Sequence, residues 1–107
     1  MTESIYAMTK QLPAHEQFGL VTQMRRAAIS VASNIAEGAA RSGNQDKVQF
    51  FVVARGSLSE LDTQVELSRR LHGINSKTTD QVKATMNEVS YLLQGLIATQ
   101  RAKGQRP

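Results

Sequence analysis

The residues of this chain that are able to move protons, hold metals or attack carbonyls are few and scattered. There are two histidines, His15 and His72, and no cysteine. Neither histidine has a partner at the HxxxH or HExxH spacing that puts two ligands on one helix face, so the sequence offers no metal site. His72 falls near the end of a helical pattern, where an imidazole is a favourable partner for the helix dipole. Ser57, in GSLSEL, sits mid-helix with no base beside it. No Gly-rich phosphate loop and no GxSxG elbow occurs. Glu37 and Glu60 could approach each other, but paired carboxylates need a cleft, and the pattern implies none. The expectation is no catalytic residue, no cofactor, no metal and no enzyme activity.

Phosphate attraction is the chemistry left. Thirteen Lys and Arg against nine Asp and Glu give a net charge of +4, which permits contact with nucleic acid. Along residues 55–70, Arg55, Asp62, Glu66, Arg69 and Arg70 alternate in sign, as on a solvated, salt-bridged face. The unbalanced cations are Arg25, then Arg41 and Lys47 around a loop, then Arg101, Lys103 and Arg106 near the C-terminus. Arg25, Arg41, Lys47, Arg101 and Lys103 are the candidate nucleic-acid contacts.

The elements that must position these groups are helices. With 107 residues the chain makes one domain. Its two prolines, Pro13 and Pro107, leave the middle without breakers. A short helix is predicted over residues 3–11, with Ile5, Met8 and Leu12 in register. Pro13 suits the first turn of a second helix reaching Glu37, and Leu20, Met24, Ala27, Val31 and Ile35 form its apolar face. Gly38 is the expected left-handed stop. A capping box over residues 42–45, or Asn44 itself, would open a third helix running to about Leu71. Phe51, Ala54, Leu58, Leu61, Val65 and Ser68 form its stripe, and Gly73 stops it. Ser76 or Thr78 would cap a fourth helix with Val82, Met86, Val89, Leu93 and Leu96 as its stripe. The prediction is an all-α, up-down antiparallel four-helix bundle over residues 1–100, with a basic frayed tail over residues 101–107. No apolar run approaches the roughly 20 residues that span a bilayer, and the N-terminus lacks a secretory layout. A cytoplasmic protein without membrane contact is expected.

Beside the core lie small and polar residues. Arg26, Ser30, Asn34 and Glu37 flank the second helix, and Gly56, Ser57 and Glu60 flank the third. They read as a structural polar network that fixes helix register, with Arg26 facing Glu60 or Glu37 and Gly56 allowing close helix approach. A second apolar strip holds Val21, Ile29, Ala32 and Ala36, and Val53, Leu67 and Leu71 extend the third helix in the same way. The first helix spans about 14 Å and the others about 30 Å or more, which leaves half of one groove open. Exposed apolar surface of that kind marks an interface, so self-association is expected.

These residues carry a resemblance. The segment QMRRAAISVASNIAEGAAR, with Arg25, Arg26, Ala27, Ser30, Asn34, Ile35, Ala36, Glu37, Gly38 and Arg41, resembles the bacterial four-helix-bundle proteins named after intervening sequences in 23S ribosomal RNA genes. So does QFFVVARGSLSEL, with Phe50, Ala54, Gly56, Ser57, Leu58, Glu60 and Leu61. The resemblance covers nearly the whole chain. It implies a bundle that assembles as a ring, a pentamer, and it supplies no catalytic residue. It also implies a kinship with the accessory variability determinant proteins of diversity-generating retroelements, which bind nucleic acid and a reverse transcriptase. It implies a first helix several turns longer than begins at Met1. Ala32 stands where relatives often have proline, so the second helix is expected to be straight.

Two functions follow as expectations. One is a non-enzymatic oligomer binding RNA or DNA through basic residues. The other is a protein-interaction scaffold with no nucleic-acid role, recruiting a protein partner by its apolar groove.

Overall fold

The computed structural model describes residues 1–105, and all its regular structure is helical. Four helices follow in order, α1 (Thr2–Thr9), α2 (Leu20–Ala40), α3 (Asn44–His72) and α4 (Ser76–Gly104), with a 3-10 turn over Ala14–Glu16. Among the described residues there is no strand. The long axis measures 54 Å.

Side-chain pairs give the register. Ser68 lies on Met24, Ser57 on Ser30, and Phe51 beside Gly38, so α2 and α3 run antiparallel. Lys83 meets Glu66, and Gly104 lies by Asn44, so α3 and α4 do the same. The short α1 rests on α2 and α4. This is the side-by-side packing of consecutive helices that short connections favour.

The predicted stripes are the core. Phe51, Ala54, Leu58, Leu61, Val65 and Ser68 of α3 are all buried, as are Met24, Ala27 and Val31 of α2. Ile5 and Met8 bury the inner face of α1. On α4, Val82, Met86 and Leu93 are buried while Val89 and Leu96 are partly so. Ile97 and Thr79, outside the predicted stripe, are buried too. Val21, assigned to an outer strip, is instead core.

The helix ends depart from expectation in several places. Pro13 does not open α2. It is extended and leads into the 3-10 turn, and α2 begins at Leu20. The intervening chain reverses direction so that α1 can lie against α2. Gly38 is not a left-handed stop, because α2 continues through it to Ala40 and Arg41 turns extended. A Cβ on Gly38 would sit 2.6 Å from Phe51 Cε1, so this glycine makes room for a buried ring. The close approach assigned to Gly56 is not there, since no atom lies within 4 Å of where its Cβ would be. The capping box does not form, because Gly43 precedes α3 without a side-chain cap. Asp46 still places a carboxylate in the first turn. Gly73 ends α3 at φ 63° and ψ 30°, and its N–H donates to the Arg69 carbonyl, as a left-handed C-cap requires. Asn75, rather than Ser76 or Thr78, caps α4 by accepting the Lys77 N–H at 2.7 Å. Residues 101–104 continue α4 instead of fraying. They are exposed, and a Cβ on Gly104 would lie 3.8 Å from Asn44 Cβ at the start of α3. Arg106 lies outside the described residues.

Candidate nucleic-acid interface

Antiparallel order puts the α2–α3 loop and the C-terminus of α4 at one end of the bundle, and the candidate cations gather there. The Lys47 ammonium donates to the carbonyls of Ala39 (3.0 Å) and Gly38 (3.5 Å), the last turn of α2. It satisfies acceptors that a helix end leaves open. Arg41, just past α2, lies 4.8 Å over the Phe50 ring, with Glu37 at 3.5 Å. Both side chains of that ion pair are about half exposed, so the pair adds little stability and the guanidinium still presents its fork to solvent. Arg101 lines a groove with Asn44, Gln45, Val48, Gln100 and Gly104, which places it beside the start of α3. Arg101 and Lys103 occupy the last turn of α4 and are exposed. They favour the helix dipole and remain available to an anion. Four of the five candidates thus share one end, and the acids on the adjoining turns are Glu37 and Asp46.

Arg25 belongs elsewhere. Its Nε donates to Thr9 Oγ1 at 3.0 Å, and its guanidinium lies 4.4 Å over the Tyr6 ring. This arginine fastens α1 to α2. The pattern along α2 shows no acid to occupy it, and a tyrosine on another helix leaves no trace there.

The polar strip is partly assembled. Ser30 and Ser57 share a hydrogen bond of 2.8 Å between α2 and α3. Asn34 Nδ2 donates to the Ser30 carbonyl (2.8 Å) and hydroxyl (3.1 Å). Glu60 accepts from Gln64 on its own helix, and Glu37 faces Arg41. Arg26 makes no ion pair among the described residues, so its expected pairing with Glu60 or Glu37 is absent. It is exposed on α2, where water competes for the charge.

The mixed-charge row on α3 is organised by Glu66. Its carboxylate accepts from Arg69 and Arg70 on its own helix and from Lys83 of α4. Arg69 first, then Lys83 and Arg70, hold the Glu66 carboxyl well below the usual carboxylate range. A lowered folded pKa contributes stability that is present above the unfolded value of about 4.3 and lost as pH falls toward the folded one. Glu66→Gln is therefore expected to lower stability at about pH 7, with the gap to the parent narrowing below about pH 4. Urea unfolding of both proteins at about pH 7 and about pH 3 checks this.

One cluster was not anticipated. His72 Nε2 donates to Glu16 Oε2 at 2.6 Å, and the rings of His15 and His72 lie edge to face, 5.6 Å between centroids. The two histidines, isolated in sequence, are neighbours in space because the side chains of the 3-10 turn reach the last turn of α3.

No helix among the described residues is long and apolar enough to cross a membrane. An all-helical chain with a cationic end and a polar seam between its two best-packed helices is a small helical-bundle protein. The chain belongs to the 23S rRNA-intervening sequence protein family, whose sequence profile matches residues 1–95. Comparison with curated proteins finds no match.

Proposed function

We propose that this is a non-enzymatic, self-associating helical-bundle protein that binds RNA or DNA by phosphate contact through Arg41, Lys47, Arg101 and Lys103. The observation that carries the reading is the convergence of these cations from three helices on one end. In a ring of five, the assembly that the family resemblance implies, each weak patch would be repeated and strengthened by avidity. The kinship with retroelement accessory proteins that the sequence resemblance implies would favour the same chemistry in a cytoplasmic setting. Fluorescence anisotropy with structured RNA and with duplex DNA at low salt tests it. Binding with little sequence preference and a steep salt dependence is expected, and no binding to either sinks it.

Self-association rests on exposed apolar side chains. Ile29 of α2 and Leu92 of α4 are 47% and 52% exposed, on the two helices that hold α1. Phe18, Val53, Leu71 and Tyr91 are also exposed. Ile29→Glu with Leu92→Glu is expected to reduce the mass seen by light scattering to that of one 11.7 kDa chain. A parent protein that is already monomeric at micromolar concentration defeats the proposal. The same surface favours the second reading, a scaffold for a protein partner, over the first if nucleic acid fails to bind.

A further inference from the structure

We propose that His15, Glu16 and His72 form a binding site for a divalent transition-metal ion of the zinc class, tying the segment between α1 and α2 to the end of α3. The three residues each offer a donor atom, and these atoms lie within 4.8 Å of one another. A zinc ion at about 2.0–2.2 Å from each donor needs them roughly 3.4 Å apart. The exposed His15 therefore moves in, while the half-buried His72 and Glu16, now 2.6 Å apart, open by about 0.8 Å to admit the ion in place of their hydrogen bond. The histidine rings are already close to the required separation. Their centroids are 5.6 Å apart, and two imidazoles sharing a tetrahedral ion at about 2.1 Å have centroids about 5 Å apart.

The carboxylate is held in place. Glu16 Oε2 already accepts from His72 Nε2 at 2.6 Å. Gly19 leaves space for it, since a Cβ there would meet Glu16 Oε1 at 3.0 Å. His72 is fixed on the final turn of α3, directly before the left-handed Gly73. Outer support of this kind orients ligands before the ion arrives. Two imidazoles and one carboxylate suit zinc, cobalt or nickel and not magnesium or calcium, which take oxygen ligands. His15 is exposed, which gives the ion a way in and leaves a fourth position to water.

The competing account is a simple hydrogen bond between His72 and Glu16. That pair accounts for two of the residues and leaves His15 without a task. The two accounts differ in what His15→Ala does.

The test uses untagged full-length chain, stripped of metal with a chelator. Zn2+ binding is followed by calorimetry, Co2+ binding by its visible absorption, and folding by circular dichroism. The expected result is one ion per chain. At a metal concentration about a hundredfold above Kd the melting temperature should rise by about 10 °C or more. His15→Ala and His72→Gln are each expected to weaken binding by about tenfold or more while the metal-free chains keep their helical signal. The glutamine preserves a donor toward Glu16. The proposal is overturned if neither ion binds, if both histidine variants bind as the parent does, if Mg2+ binds as tightly as Zn2+, or if one ion is shared by two chains.

Discussion

Phe51→Ala is expected to lower the free energy of unfolding by about 3–5 kcal/mol, a large share of the roughly 5–15 kcal/mol available to a domain of this size. Phe51 is among the largest fully buried side chains, at 2% exposure, and its ring fills the space that Gly38 leaves open. The converse change follows from the same geometry. Gly38→Ala puts a methyl 2.6 Å from Phe51 Cε1 and 2.9 Å from Cδ1, well inside van der Waals contact. Overpacking costs about 1–3 kcal/mol, and alanine returns up to about 1 kcal/mol of helix propensity. The net is a loss of about 0–2 kcal/mol, with the ring too buried to retreat. In a Phe51→Val background the ring atoms are gone and only Phe50 Cβ, at 3.1 Å, still crowds the new methyl. There Gly38→Ala should cost clearly less than in the parent, its helix propensity offsetting up to about 1 kcal/mol. Denaturant unfolding of the four proteins measures the coupling. An equal effect of Gly38→Ala in both backgrounds would show that the ring is not what the glycine accommodates.

That pairing also marks where the sequence stopped being readable. The stripes of α2, α3 and α4 repeat at helical spacing, so the helices and their inward faces could be assigned from the chain alone. Gly73 could be assigned too, because a glycine after a long periodic run is the usual left-handed stop. Gly38 and Gly56 look alike locally. Which one meets another helix depends on the register of α2 against α3. With Ser30 opposite Ser57, Gly38 falls on Phe51 and Gly56 faces outward. Register is a long-range property, and a local pattern does not contain it. The cap of α4 differs for a smaller reason, since neighbouring residues offer near-equivalent ends, whereas α2 starts seven residues after Pro13 because the chain first reverses through a 3-10 turn.

The cations follow the same division. Arg41 and Lys47 flank the α2–α3 loop and Arg101 and Lys103 end α4, so antiparallel order alone brings them to one end. Arg25 lies apart from them, engaged by Tyr6 and Thr9 on a helix whose packing the charge pattern does not report. His72 and Glu16 are 56 positions apart, and no spacing rule joins them.

Arg101→Glu with Lys103→Glu is expected to reduce nucleic-acid affinity by at least about tenfold at low salt and to flatten its salt dependence. Four phosphate contacts on duplex DNA give a slope of log affinity against log salt of about −3.6 per protomer engaged. That is a loss of about a hundredfold between 50 and 200 mM. Removing two contacts halves the slope to about −1.8, and the added carboxylates repel phosphate further. These two side chains are the proper choice because they are exposed on the last turn of α4. Lys47 holds the end of α2 and Arg41 rests on Phe50, so replacing them disturbs the fold as well as the charge. Arg25→Ala supplies the contrast. Its guanidinium is engaged with α1, so it should lower stability and leave the salt slope unchanged. A parent slope near zero removes phosphate contact as the mode of binding. A slope lost with Arg25 and kept without Arg101 and Lys103 moves the interface to the opposite part of the bundle.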